Sequence, residues 1–498
     1  MIHSTNRAFR HVAVVGGGLG GLSAAIHLCL GGFEVTLYEA NERVGGRASQ
    51  ITAEGFTFDT GPTLLNYPWV FEQLFGAAGY RLDEYVDLQP IDPSIRFYWP
   101  QGDHLQLTSS LTGLVREFER VAPGSSQGLF AFLADACNKY RIAFEKMACR
   151  NIDNPVKWFA SLSLKEFFRT GIWRSLDREI SRFFQNRFIR EALGSYGMYL
   201  GGSPQELPGI FTILSYGEMA MGLWVPRGGI FTLVKGIETL ARRVGVRILT
   251  GQRVKQILIR EGKVAGLKLT NGRSDDCPIV ISNVDVPTTQ HHLLSGNGHR
   301  PSKPMKMTPS VMTFYWGVRG KIRNAGHHSI FMPQEPDKAY EELIRQKRIP
   351  RELPFYMSIA SKTDPSLAPP GDSTVFILVP LPQPFHLDQE DYLALKQEIK
   401  ERIFKRLGRH GIKFSTADIV TEKVMTPADW GKRFGLFQGS AFGAAHTLSQ
   451  MGALRYPNKD RHVKGLYYAG ASTTPGTGLP MVVISGRMTA ERVCIDVC

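Results

Sequence analysis

Gly16, Gly18 and Gly21 follow an apolar β-branched run, Val12 to Val15, and open a stretch of small and apolar residues from Leu19 to Leu30. At that G-x-G-x-x-G spacing the glycines give a tight turn off a strand, close approach of backbone to a pyrophosphate, and close packing of helix on strand. The amides and dipole at the start of such a helix attract negative charge. Glu39 supplies the matching acid at the end of a second strand, Glu34 to Tyr38. A carboxylate there can accept hydrogen bonds from both ribose hydroxyls of an adenosine. Three glycines alone are weak evidence, because glycine-rich turns occur in ordinary α/β domains. Strand, glycines, helix, strand and terminal acid in that order predict a bound dinucleotide.

Other chemistry finds little support. The six cysteines (29, 137, 149, 277, 494 and 498) are scattered with no C-x-x-C pair, which suits free thiols in a reducing cytoplasm. Cys494 and Cys498 are two ligands at most, and no metal site is expected. The thirteen histidines show no H-E-x-x-H pattern, and His291-His292 and His327-His328 read as loop residues. No spacing supports a Ser-His-Asp or Cys-His arrangement.

The elements that must position this chemistry are spread over 498 residues, long enough for two or three lobes. A formal net charge of +14 points to an anionic partner surface. No nucleic-acid motif appears, and many of the cations lie among aromatics, so lipid is favoured over nucleic acid. Between residues 154 and 200, Trp158, Phe159, Leu162, Phe167, Phe168, Ile172, Trp173 and Leu176 recur at helical spacing. From 157 to 190 there are eight Lys or Arg against three acids, Glu166, Asp177 and Glu179. Two readings stay open here: an amphipathic surface for peripheral membrane binding, or a helical lobe burying its own core beneath solvated cations. The opening MIHSTNRAFRH has no apolar core and is not expected to be a signal peptide. No run approaches the roughly 18 apolar residues of a transmembrane helix. A cytoplasmic protein attached peripherally to a membrane is therefore expected.

Further along, Phe56 and Phe58 alternate into a Gly61-Pro62 turn, and Gly228-Gly229 precede a helix of good period. Val254 to Arg260 and Lys263 to Thr270 form a strand pair joined at Glu261-Gly262, followed by a buried strand, Ile279 to Ser282. Near the end an apolar strand reaches Gly470, and a helix starts near Pro480 after a Gly/Pro loop. A helix N-terminus aimed at an electron-accepting ring would stabilise charge arriving there.

Arg43 to Arg47, R-x-G-G-R, directly follows the β-α-β unit and resembles the extended dinucleotide motif of the flavin-dependent amine oxidase and phytoene desaturase superfamily. An NADP site would favour a basic residue in place of Glu39, so FAD is the expected cofactor. GGGLGGLSAA, FDTGPT, APGSSQGLFAFL, GLWVPRGG, ISNVDV, DPSLAPPG, TPADW, GSAFG and YYAGASTTPGTGLP extend the resemblance from end to end. Together they resemble the bacterial-type carotenoid desaturases, the phytoene and diapophytoene desaturases.

That resemblance implies an α/β fold: a Rossmann-like FAD-binding domain assembled from discontinuous segments, plus a mixed α+β substrate and membrane lobe. The expected segments are 1–105, 222–295 and 455–498 for FAD, with 106–221 a helical substrate/membrane lobe and 296–454 a substrate lobe. Beside Gly16, Gly18, Gly21 and Glu39, it implies that Arg47, Gly61, Pro62, Gly470, Gly478 and Leu479 meet the cofactor and that Val254 holds adenine through its backbone. The implied reaction is desaturation of a long hydrophobic isoprenoid, with a quinone or oxygen accepting the electrons. Glu218 and Arg227, flanking the GLW stretch, are candidates for handling the proton. Two departures matter. Desaturases commonly carry a histidine before Pro-Gly in the closing loop, where this chain has Thr474, and GTGLPMVVISG leans toward relatives that oxidise a carotenoid terminal methyl group. Superfamily members that escort prenylated proteins without catalysis are a third possibility, against which the complete set of Glu39, Arg47 and closing loop argues.

Overall fold

The computed structural model describes residues 11–295, 301 and 304–497. Its organising layer is a five-stranded parallel sheet built from both ends of the chain. The elements of this domain, in chain order, are β1 (His11–Val15), α1 (Leu19–Leu30), β2 (Glu34–Tyr38), α2 (Ile230–Arg243), β3 (Arg247–Leu249), β4 (Ile279–Ser282), β5 (Leu466–Tyr468) and α3 (Leu479–Val497). The strand order is β5-β4-β1-β2-β3. Strands covered on both faces should be continuously apolar, and Val12 to Val15 are all buried. Val12 and Val14 join a core with Leu22, Ile26, Val234 and Ile237 of α1 and α2. Ala13 and Val15 face the other way, toward Ile257 and Leu267. Those two belong to the hairpin Val254–Arg260 and Lys263–Leu269, turned at Glu261 and Gly262, both at positive φ (48° and 72°) as a tight hairpin turn requires.

α3 closes the domain by lying on α1. Ser23 Oγ donates to the Val483 carbonyl at 2.7 Å, and a Cβ on Gly486 would come within 2.7 Å of the Ala24 nitrogen. The glycine is what allows the two helices to meet backbone to backbone.

A seven-stranded sheet forms the second lobe. Its order is Ile419–Met425, Ser310–Val318, Ser373–Leu381, Phe355–Ser358, His328–Phe331, Ile95–Tyr98 and His104–Leu107. The segment 1–105 therefore divides, because its last strands pair in this sheet and not in the parallel one. Alternation along Ser310–Val318 sends Phe314 and Trp316 toward the helix Gln389–Arg409, while Tyr315 faces Phe56, Phe58 and Phe376. Short helices between Leu111 and Met221 cover that second face. No helix among the described residues is long and apolar enough to cross a membrane.

Candidate functional site

The predicted cofactor residues converge on the C-terminal edge of the parallel sheet, where open α/β sheets bind ligands. Gly16 leaves β1 with φ 98° and donates to the Tyr38 carbonyl at 2.8 Å. No side chain caps α1, whose N-cap is Gly18, and its first turn contains no acid. A Cβ on Gly21 would run into the Gly16 carbonyl oxygen, and one on Gly18 would meet Asn283 Oδ1 at 2.7 Å. Glu39 is buried and accepts the Gly17 amide at 2.7 Å and the Asn41 amide at 2.8 Å, so it is fixed against the glycine turn. The Glu39 carbonyl also receives the Gln252 amide at 2.8 Å, which ties the strand beginning at Val254 to the same edge.

Gly45 donates to the Gly17 carbonyl at 2.7 Å, laying the second glycine pair along the first. Arg47 is half-buried, and one of its five donors reaches the Ala441 carbonyl at 2.8 Å. Gly61 lies so close to Arg47 that a Cβ would stand 2.6 Å from its carbonyl oxygen. Asp59 in the same stretch accepts the amides of Ile230 and Phe231 at 2.6 and 3.1 Å, capping α2, and burial raises its carboxyl to about 7 despite those two bonds. Gly470 sits beside Asn283 and Gly20; Gly478, just before α3, lines a cavity described below, while Leu479, the first residue of α3, is buried in the core of the parallel-sheet domain.

This set fits FAD. An uncapped helix N-terminus, a turn that no side chain can enter, a fixed carboxylate at the end of β2 and a half-buried guanidinium are the donors and acceptors that a dinucleotide pyrophosphate and ribose require. Asn283 was not singled out in the sequence, yet it fills the space beside Gly18, Gly20, Gly21 and Gly470 and donates to the Ala469 carbonyl at 2.9 Å. Only the approach of β4 to the glycine turn reveals it.

Next to the opening of α3 is a cavity of about 160 Å³. Its wall is mainly apolar, with Phe144, Met147, Trp158, Phe211, Leu214 and Met481 prominent, and the closing loop contributes Thr474 and Thr477. Thr474 bonds to Asn458 Oδ1 through its hydroxyl. His446 reaches this loop from another part of the chain: its Nε2 accepts the Thr477 amide at 3.3 Å. Burial, and then the charge of Arg455, holds this imidazole well below its ordinary range and therefore neutral. Arg455 itself is fully buried and donates to the carbonyls of Thr473 (2.8 Å) and Ala444 (2.9 Å), fastening the loop.

The two proton candidates separate. Glu218 is buried, accepts Ser94 Oγ at 2.7 Å and the Tyr196 hydroxyl, and is pushed up to about 7 by burial. On the helix Thr212–Met221 it stands one turn beyond Leu214 of the cavity wall. Arg227 does not join it. Its side chain is 65% exposed and paired with Asp87 at 2.8 Å, so the sequence expectation for Arg227 is corrected to a surface ion pair. His328 is not a loop residue, since it begins a strand of the second sheet; His327 lies in the bend just before that strand, and both are buried. Among the described residues no group of His, Cys, Asp and Glu could hold a metal ion; Cys498 and residues 1–10 lie outside them.

Fold and site together define a flavoprotein oxidoreductase. The chain belongs to the flavin containing amine oxidoreductase family, whose profile matches residues 19–494, and it is an FAD-dependent enzyme. It is 34% identical over 487 residues to a zeta-carotene-forming phytoene desaturase of Myxococcus xanthus, covering 97% of this chain and 94% of that one. Over 499 residues it is 31% identical to a 4,4'-diapolycopene oxygenase of Methylomonas sp, covering 98% of each. Among solved structures, a redesigned putrescine oxidase aligns over 98% of both chains with a TM-score of 0.62 at 14% identity, a likeness of fold.

Proposed function

We propose that this chain is a carotenoid desaturase that introduces double bonds into a long polyene of the phytoene or 4,4'-diapophytoene type. The observation that carries the reading is the apolar cavity opening beside Gly478, within a chain related over nearly its whole length to carotenoid desaturases. FAD supplies the acceptor for the hydride removed from an allylic carbon. The chain's residues do the rest. Phe144, Trp158, Leu214 and Met481 bind a hydrocarbon through burial alone and keep water from the reacting carbons. The N-terminus of α3 favours negative charge at the site's edge. Glu218, held near 7 by burial, takes the proton lost from the neighbouring carbon.

Delivery of such a substrate needs a lipid surface, and one stretch of the exterior suits it. Val156, Phe159, Leu164, Phe168 and Trp173 are exposed, with Lys157, Lys165 and Arg169 exposed among them. From Trp158 in the cavity wall, edge-to-face ring contacts run outward through Phe159, Phe167 and Phe168 to Trp173, with centroids 4.9 to 6.2 Å apart. Aromatics and aliphatics with cations at their rim bind anionic membrane surfaces peripherally. An oxygenase acting on a terminal carbon is the second reading, favoured by the GTGLPMVVISG stretch and the oxygenase relative. Expression in a host that accumulates phytoene or diapophytoene tests the assignment. Coloured polyenes with hydrogen pairs removed are expected, and an unchanged colourless pigment in a host containing folded, flavin-loaded protein would reject it.

A further inference from the structure

The apolar cavity reaches the exterior away from the cofactor edge. Three of its lining residues are exposed: Gly478 of the closing loop, and Arg150 and Asp153 in a different segment. Gly478 marks the end at the cofactor, so Arg150 and Asp153 mark the outer mouth. The helix Ser126–Ile142 widens before them into a π-helical turn, Ala143–Ala148, a geometry frequent at functional sites. After residues 149–153 the chain enters another helix, Pro155–Ala160, capped by Asn154 Oδ1, which accepts the Val156 amide at 2.9 Å. Residues 149–153 are thus a short strap along the mouth, and the helix that follows carries exposed Val156 and Phe159.

Polar side chains fasten this strap to α3. Asn151 Nδ2 donates to the Met488 carbonyl at 2.9 Å, and Asn151 Oδ1 accepts Arg492 Nε at 3.0 Å. The Arg492 guanidinium also pairs with the Asp153 carboxylate, whose side chain is 43% exposed. Such ties at a wet rim are individually weak, so breaking them costs little. A hydrocarbon passing the rim offers these groups nothing in exchange for their water or for each other. The cavity, at about 160 Å³, is close in size to one that holds a single benzene. A long polyene must therefore extend through the mouth, and the strap must move aside to admit it.

We propose that residues 149–153 are the gate through which the polyene enters, latched shut on α3 by Arg492 through Asn151 and Asp153. The gate rests on the reading of this cavity as the polyene's site, but its test needs no turnover. The probe is diphenylhexatriene, an apolar polyene too long for the shut cavity and fluorescent when taken out of water. Binding to FAD-loaded protein is followed by stopped flow and by titration. The signal counted is the part that a folded Leu214→Trp variant, which fills the cavity, removes. Arg492 is outside the cavity wall, so Arg492→Met releases the latch and leaves the wall intact. Affinity for a probe that binds only the open form scales with the fraction of protein that is open. In Arg492→Met, on-rate and affinity should therefore rise by one common factor, roughly fivefold, with the off-rate unchanged. Asp153→Asn should give a smaller rise, and Arg492→Lys, which keeps a cation for Asp153, the smallest. Melting temperature and flavin content establish that each variant is folded. Wild-type rates in folded Arg492→Met, or a loss of affinity there, would overturn the gate. Absence of probe binding in the wild type would overturn the gate together with the assignment of the cavity. Gated binding without turnover of any polyene would reject the desaturase reading and leave the gate standing.

Discussion

The glycine edge of the parallel sheet and the apolar cavity beside it achieve recognition by opposite means. At the glycine edge, backbone is brought so close to backbone that Gly21 and Gly486 leave no room for a side chain, while Gly16 turns at a φ of 98° that favours glycine. Polar groups there are fixed one by one, as Glu39 is by Gly17 and Asn41. At the cavity, recognition is spread over many apolar side chains, with His446 in the wall buried and neutral and Glu218 buried one helical turn beyond Leu214. A charged cofactor demands defined donors at defined places, whereas a hydrocarbon demands only shape and dryness. Single substitutions should accordingly be severe at the first region and graded at the second.

The largest effect is expected at Gly21. Gly21→Val forces a side chain into the Gly16 carbonyl, which cannot yield because it belongs to the turn itself. The variant should purify without flavin or fail to fold, as read by absorbance of the purified protein; full flavin content would break the contrast between the two regions.

Glu218→Gln sharpens the contrast from the other side. It should retain FAD yet lose turnover by roughly a hundredfold, the usual range for a proton-transfer group. A stability signature follows as well. The Glu218 carboxyl is raised from 4.5 to about 7 by burial, so in folded protein it keeps a proton that the unfolded chain releases. The corresponding stability is complete below 4.5 and is lost as pH rises toward and through 7, by up to roughly 3 kcal/mol. The wild-type melting temperature should thus fall more between pH 5 and pH 8 than that of Glu218→Gln. Asp59, raised to about 7 by burial, adds the same trend to both proteins and cancels in the difference. Identical pH profiles would place Glu218 outside the titrating groups.

The mildest effect belongs to the exterior. Replacing Leu164, Phe168 and Trp173 together by Ser removes exposed apolar surface without touching the core. Sedimentation with anionic liposomes should drop while flavin content and melting temperature stay put. Unchanged sedimentation would move the membrane contact elsewhere. Arg174 is a poor target for this purpose, because it pairs with buried Glu179 at 3.1 Å.

Legibility in the sequence follows the same division. The spacing of Gly16, Gly18 and Gly21 and the position of Glu39 are read directly, because local backbone geometry forces both the residue type and the interval. Asp59 shows the limit: its FDTGPT stretch was recognisable, but the capping of α2 depends on a helix far along the chain. Glu218 and Arg227 were equivalent in sequence, each flanking GLW, and tertiary packing separated them by burying one and pairing the other with Asp87. His446, His327 and His328 carried no pattern at all. Their neutrality comes from neighbours contributed by distant strands and loops, which no local interval encodes.

Removal of hydrogen without addition of oxygen is the central claim. The direct measurement is to incubate flavin-loaded protein with phytoene or diapophytoene and a quinone in the absence of oxygen, then determine product mass. The account predicts loss of hydrogen in pairs and no added oxygen atom. No reaction on these colourless substrates, together with an oxygenated product from a coloured polyene in air, would contradict it.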